Sequence, residues 1–144
     1  MKSKYSQVVK IKKQELDKAE NNLAAAKQRQ RSNEAALMQA KAEYLSISLP
    51  QSGSVQLLRE SLSFKNIAKD IKDAAQERVN LSKNECNHYQ HLYKNAHLNY
   101  EKIKYLETQD LKEYQKKLAK AEQKALDDIA TSKFFRERKE NEEA

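Results

Sequence analysis

Apolar residues in the first third of the chain recur at alternating steps of three and four positions. The a positions of this repeat are Val9, Leu16, Leu23, Gln30, Leu37 and Tyr44, and its d positions are Tyr5, Lys12, Ala19, Ala26, Asn33, Ala40 and Ile47. Such spacing keeps one face of an α-helix turned toward a partner helix. The pattern predicts a coiled-coil helix over residues 4–48, with a thin, alanine-rich seam and polar Gln30 and Asn33 at its middle.

A second apolar pattern follows and is less regular. Its predicted stripe consists of Phe64, Ile67, Ile71, Ala74, Arg78, Leu81, Glu85, His88, Leu92, Ala96, Tyr100, Ile103, Glu107, Leu111, Tyr114, Leu118, Ala121 and Ala125. Successive steps of four after Leu92 and after Glu107 are stutters, which unwind a supercoil locally. The pattern predicts a long second helix over residues 64–138, followed by a frayed tail over 139–144.

The only proline and the only glycine of the chain, Pro50 and Gly53, separate the two helical patterns. Neither residue is well tolerated inside a helix. We expect a bend over residues 49–63, in which Ser54, Ser61 and Ser63 all offer N-caps. Residues 55–62 could begin the long helix or form a short separate helix, and we favour a short helix near 55–62 with the long one starting near 64. The sequence therefore predicts an all-α fold in which residues 1–144 form a single domain, a two-helix antiparallel coiled-coil hairpin with a longer C-terminal helix.

The two predicted helices differ in length, so the second cannot be paired along its whole course. If they run antiparallel from the bend, residues 4–48 cover about 65–110. Residues from about 111 to 138 then extend beyond the pair and still carry large apolar side chains. An apolar stripe on an unpaired helix marks a binding surface or a self-association site.

Composition and charge narrow the class of protein. Charged residues make up 34% of the chain and tryptophan is absent, which is typical of a long helix rather than of a large-cored globule. The net charge of +7 permits contact with nucleic acid or anionic lipid, although both signs are interspersed, as on a solvated helix face. No secretory signal or membrane span is recognisable, and Cys86 has no disulfide partner, so we expect a cytoplasmic protein.

Residues that could carry chemistry do not converge. His88, His91 and His97 lie near Cys86 and Glu85, but they fall on different parts of the helix circumference, unlike the ligands of a zinc site. No glycine-rich phosphate loop and no nucleophile with a neighbouring base is recognisable. We predict no catalytic residue, no metal, no cofactor and no small-molecule substrate.

Both ends of the chain resemble a known family. The start reads YSQVVKIKKQE over residues 5–15, with an alanine run at 24–26, and the end reads EQKALDDIA over residues 122–130. These segments resemble the FliJ family of the bacterial flagellar type III export apparatus, which is related to the YscO family of injectisomes. The family's end resembles Glu-x-Lys-x-Leu-Asp-Glu-x-Ala followed by basic residues, whereas this chain has Asp128 in place of the second glutamate and then Phe134 and Phe135.

The resemblance implies a non-enzymatic protein that is peripheral to the inner-membrane export apparatus through its partners. FliJ proteins bind the export ATPase FliI in the manner of a rotary-ATPase stalk, promote its ring assembly, contact the export gate protein FlhA and help to recycle export chaperones. Nucleic acid is not an expected partner. We expect the ATPase-facing end to comprise Val8, Ile11, Leu118, Leu126, Asp127, Ile129, Phe134, Phe135 and Arg136. For the gate, the bend and the middle of the hairpin are both candidates.

Two other function classes stay open at this stage. One is a self-associating structural coiled coil whose overhang pairs with a second copy. The other is a basic coiled-coil module that binds nucleic acid or an anionic membrane. The hairpin and overhang suit an export adaptor and a self-associating structure equally, and only the family resemblance separates them.

Overall fold

A computed structural model describes residues 3–143, and its regular secondary structure in that range is helical throughout. Helix α1 spans Ser6–Ser46 and helix α2 spans Val55–Glu143. This confirms the predicted all-α fold, a two-helix hairpin with a longer C-terminal helix. Contacts group the residues into a central unit, Lys13–Asn99, and a terminal unit formed by residues 1–12 and 100–144. The two units are described separately below.

In the central unit the helices pair antiparallel. Arg29 forms an ion pair with Glu85, and one turn further along α1 the Asn33 side-chain amide donates a hydrogen bond to the Ser82 hydroxyl. The partners on α2 thus run backward as α1 runs forward. Asn33 lies in the seam, as predicted, and its polar group is satisfied across the helix pair. A polar contact at a seam position favours one register over its neighbours.

The α1 side of the seam matches the predicted repeat. Between Leu16 and Tyr44 every predicted a and d residue is buried or half-buried, and Ala26 has no exposed surface. Leu37 and Ala40 form the buried cluster of the hairpin together with Ala75 and Val79 of α2. Leucine faces alanine and valine here, so the helices lie close but bury little area per turn.

The predicted α2 stripe is wrong between residues 64 and 92. Ala75 and Val79 are only 4% and 2% exposed, whereas Phe64 and Leu81, placed in the seam by the sequence pattern, are 62% and 61% exposed. A three-four repeat of buried and half-buried positions runs along α2 in this unit, and half-buried Gln76, Gln90 and Glu85, the last of them part of the predicted stripe, flank it. Its members are Lys65, Ala68, Lys72, Ala75, Val79, Ser82, Cys86, Tyr89, Tyr93 and Ala96. The stutter expected after Leu92 therefore does not occur. The buried members of this repeat, Ala75, Val79, Ser82 and Cys86, are small because the leucines of α1 already fill the space between the helices.

The bend is shorter than predicted. Helix α2 begins at Val55 rather than near residue 64, so there is no separate short helix and the connection covers residues 47–54. Ser54 is the N-cap: its Oγ accepts a hydrogen bond from the Leu57 backbone N–H at 3.1 Å. Residues 55–63 contain no proline or glycine, so nothing interrupts the helix once it has begun. Gly53 adopts φ 131°, which only glycine accommodates readily.

The ends of the helices also differ slightly from the prediction. Helix α1 starts two residues later and ends two residues earlier than expected, and α2 remains helical as far as Glu143 instead of fraying from residue 139. Arg138 and Glu142, one turn apart, form an ion pair at 3.5 Å that supports this last stretch. Ala144 lies outside the described residues.

In the terminal unit, the start of the chain pairs with α2 only as far as residue 111. The Ser3 hydroxyl donates a hydrogen bond to the Asp110 carboxylate at 2.5 Å. Leu111 is the last residue of α2 that is not exposed, and every residue from Lys112 to Glu143 is exposed. The expectation of an unpaired overhang that begins near residue 111 is confirmed.

Candidate partner-binding surfaces

The most conspicuous surface is the overhang, which we define as residues 112–143 of α2. Its large apolar side chains have no cover in the described part of the chain. Leu126, Ile129, Phe134 and Phe135 are each 60–65% exposed. Tyr114 and Leu118 are exposed as well, and extend the apolar surface toward the paired part of the unit. Solvent-exposed apolar side chains at this density on a helix are a feature of protein-binding surfaces.

Local contacts hold the overhang in a helical conformation. The Gln123 amide donates a hydrogen bond to the Asp127 carboxylate at 3.0 Å, one turn further along. The rings of Phe134 and Phe135 meet edge to face with centroids 6.1 Å apart. Such contacts within one helix are individually weak, because they gain only tenths of a kcal/mol each. The overhang is therefore a preformed helix, but no tertiary packing within the described part of the chain stabilises it.

The terminal unit does not bring all predicted ATPase-facing residues together. Val8 and Ile11 are exposed, but they lie in the paired part of the unit, on the α1 side. Leu126 lies sixteen positions beyond Asp110, where pairing ends, which is about 24 Å along a helix. Leu118, Leu126, Asp127, Ile129, Phe134, Phe135 and Arg136 share the overhang. The predicted set thus divides into a small α1 patch and a larger overhang surface.

A second apolar surface lies in the central unit and was not recognised from the sequence as exposed. We call it the central stripe: Phe64, Ile67, Ile71 and Leu81, each more than half exposed on α2. Leu57, Leu58 and Leu62, also exposed, precede it near the bend. The sequence pattern had assigned the stripe to the seam because its side chains are larger than those that are buried. The sequence does contain a signal for the correct seam: an unbroken three-four repeat that begins at Ala68 and is shifted by one residue from the predicted stripe.

A helical hairpin with two exposed apolar surfaces can be compared with known protein families. The family model described as Flagellar FliJ protein matches residues 1–139. The chain belongs to the FliJ family. The match covers both helices and nearly all of the overhang, so the resemblance seen at the two ends of the sequence extends through the middle of the chain.

Membership of the FliJ family makes the chain a component of the flagellar type III export apparatus. The FliJ family is not a known class of enzyme. Searches of curated proteins and of solved structures found no match. Within residues 3–143, neither helix is long and apolar enough to cross a membrane.

The histidine and cysteine residues of this FliJ-family chain occupy different environments. Cys86 is buried in the seam, whereas His88, His91 and His97 are exposed on α2. His88 packs edge to face against Tyr89, with centroids 5.5 Å apart, and a ring nitrogen of His91 lies 3.4 Å from the Asn95 amide. Among the described residues, no three His, Cys, Asp or Glu side chains are grouped so that they could hold a metal ion.

The ion pair between Arg29 and Glu85 beside the seam affects the pKa of Arg29. The hydrogen bond from the Arg29 guanidinium to the Glu85 carboxylate raises the pKa of Arg29 above its usual value. Both side chains are partly exposed, so this ion pair contributes little to stability. Together with the neighbouring Asn33–Ser82 hydrogen bond, the ion pair nevertheless favours one axial register of α1 against α2.

Proposed function

We propose that this chain is a non-enzymatic, cytoplasmic adaptor that binds the flagellar export ATPase FliI through its overhang and promotes assembly of the ATPase ring. The observation that carries the proposal is the run of exposed apolar residues after Leu111, where α1 no longer covers α2. FliJ-family membership supplies the class of partner. The chain would associate with the inner-membrane export apparatus through its partners.

The dimensions of the overhang favour insertion into a narrow channel. Residues 112–143 are 32 residues of continuous helix, about 48 Å long and, with side chains, about 10–12 Å wide. A single helix is narrower than a helix pair, so the overhang could enter a channel that is too narrow for the paired part of the hairpin. Leu126, Ile129 and the phenylalanines then lie along its far half, where a surrounding partner could bury them. Burial of apolar side chains is the main favourable contribution to such an association.

We further propose the central stripe as the surface that meets the export gate protein FlhA. Phe64, Ile67 and Ile71 recur on one side of α2 with three-four spacing, and their exposure is not explained by packing within the central unit. An amphipathic helix binds a partner through anchors at this spacing. Export chaperones are proposed as a third class of partner on the support of family membership alone.

A reciprocal pair of variants tests these assignments. Leu126→Asp with Ile129→Asp should abolish binding to the purified export ATPase and its stimulation of ATP hydrolysis, because two charges replace apolar anchors. Ile67→Asp with Ile71→Asp, a matched double substitution on the central stripe, should leave ATPase binding intact and reduce binding to the cytoplasmic domain of the gate protein.

The readouts are sedimentation of the mixed proteins and the turnover rate of the ATPase. Circular dichroism of both variants should be unchanged, because all four side chains are more than half exposed. Normal ATPase binding by the overhang variant would refute the assignment of that surface. Loss of ATPase binding by the central-stripe variant would instead place the ATPase site in the middle of the hairpin.

A further inference from the structure

The overhang carries a row of lysines at four-residue spacing. Lys112, Lys116, Lys120 and Lys124 are all exposed, and Lys117 lies beside them. Residues 112–124 contain five lysines and two glutamates, so this half of the overhang has a local charge of +3. The second half, from residue 125 onward, carries more acidic than basic residues. Positive charge is therefore concentrated where the overhang leaves the helix pair.

The lysine row is unpaired within the described part of the chain, although Asp128 lies one turn beyond Lys124. No ion pair joins any of its four members to an acidic side chain in residues 3–143, although Glu113 lies on the same side of the helix. Like charges one turn apart repel one another and destabilise a helix. Three such pairs follow in succession along the row, and an acidic partner surface would relieve all three repulsions at once.

The lysine row and the apolar stripe occupy nearly opposite sides of the overhang. The apolar stripe continues from Leu111 through Tyr114, Leu118, Ala121 and Ala125. At 3.6 residues per turn, the centre of the lysine row lies about 160° around the helix axis from the centre of this stripe and about 130° from the midpoint of Leu126 and Ile129, whereas Phe134 lies on the lysine side. A partner that contacts both must therefore approach the helix from two sides.

We propose that the lysine row binds an acidic protein surface on the export ATPase, across the helix from the apolar contacts of Leu118, Leu126 and Ile129. This inference rests on the proposed function and specifies the chemistry of its partner: the space that receives the overhang has one apolar wall and, opposite, a wall rich in Asp and Glu. Charge complementarity of this kind fixes orientation and speeds association more than it adds affinity.

A lipid surface fits this arrangement less well. A membrane-surface helix buries its apolar face, and its lysines must reach the headgroups from the flanks of that face. Lysines on the opposite side of the helix would point into water instead. For nucleic acid, Tyr105 and Phe134 are exposed aromatic residues on the lysine side of α2, but both lie beyond the ends of the row rather than between its lysines, so they form no stacking platform beside the charges.

The test compares two quadruple glutamine variants of the full chain with the same loss of charge. In the first, the lysine row is replaced: Lys112→Gln, Lys116→Gln, Lys120→Gln and Lys124→Gln. In the second, four exposed lysines of the central unit are replaced: Lys41→Gln, Lys69→Gln, Lys83→Gln and Lys94→Gln. Affinity for the purified export ATPase is measured by fluorescence anisotropy at low and at physiological salt. Arbitrary duplex DNA and phosphatidylserine vesicles serve as alternative polyanions.

We expect the lysine-row variant to bind the ATPase about tenfold more weakly at low salt and to lose most of its salt dependence, while the central variant binds like the wild type. Arginine in place of all four row lysines should restore binding. Unchanged affinity of the lysine-row variant, with binding still lost in Leu126→Asp/Ile129→Asp, would overturn this inference and leave the proposed function standing.

Two further outcomes would also overturn it. If neither the glutamine variant nor the aspartate variant changes ATPase binding, the overhang is not the ATPase site, and the proposed function fails with the inference. If the glutamine variant keeps its ATPase affinity but loses binding to DNA or to vesicles, the lysine row serves a different polyanion.

Discussion

Ser3 donates a hydrogen bond to Asp110 at 2.5 Å, and just beyond this contact α2 loses its cover. Ser3 also stabilises the turn that leads into α1, because its Oγ accepts from the Tyr5 N–H at 3.2 Å. One side chain thus orders the turn before α1 and marks the point on α2 where pairing ends. The extent of the overhang, and with it the surface offered to a partner, depends on this register.

Removal of the Ser3 hydroxyl tests its two roles together. Ser3→Ala should lower the free energy of unfolding by about 1 kcal/mol, because it loses a turn hydrogen bond and a cross-helix hydrogen bond. Urea denaturation followed by circular dichroism measures this. Ser132→Ala, an exposed serine of the overhang, is the control and should change the midpoint little. Equal effects of the two substitutions would show that the Ser3 contact does not stabilise the protein.

The observed α2 seam predicts that truncation of two nearby side chains will change the stability of the protein by different amounts. Val79→Ala removes a side chain that is almost fully buried and should destabilise the hairpin by about 1–2 kcal/mol. Leu81→Ala removes a larger side chain, but one that is mostly exposed, and should change the unfolding free energy by less than about 0.5 kcal/mol. Thermal or urea unfolding of the two variants distinguishes the observed seam through Val79 from the predicted one through Leu81. If Leu81 were in the seam, Leu81→Ala would be the more destabilising substitution.

The Asn33–Ser82 contact predicts a gain in stability when both polar groups are removed. Asn33→Leu with Ser82→Ala places apolar side chains at seam positions and should raise the free energy of unfolding by about 1 kcal/mol. Asn33→Ala alone should be destabilising, because it loses the contact and leaves a gap. A double variant less stable than the wild type would show that the hydrogen bond itself is net stabilising.

The bend depends on the backbone freedom of one residue. Gly53→Ala should destabilise the protein by about 1–2 kcal/mol, because φ 131° is strained for any side chain and the new Cβ would lie 3.1 Å from Leu57 Cδ2. Ser52→Ala is the neighbouring control and should be nearly neutral. Calorimetric melting temperatures of the two variants provide the comparison. A melting temperature unchanged by Gly53→Ala would mean that the bend has another accessible conformation.

Much of the fold was predictable because local rules decide it. The a and d repeat of α1 holds over its whole paired length, and Pro50 and Gly53 both lie in the connection. The overhang followed from the difference in helix length alone. The start of α2 was misplaced because Ser54, Ser61 and Ser63 all offered caps, and only the observed hydrogen bond to Leu57 selects Ser54.

The candidate surfaces were predictable only in part. The overhang residues could be named because no residues of α1 remained to cover them. The central stripe could not, since α2 contains two three-four stripes about 100° apart on the helix, and apolar size pointed to the wrong one. Phe64 and Ile67 are larger and more apolar than Lys65 and Ala68, yet the latter pair lies at the seam.

Helix propensity and periodicity act along one segment at a time, so they specify two unequal helices, the connection between them and the buried face of α1. The face of α2 that meets α1 follows only from packing between the two helices. That choice depends on how Leu37 and its neighbours fill the narrow space against Ala75 and Val79, and close packing between two helices is a property that neither helix possesses alone.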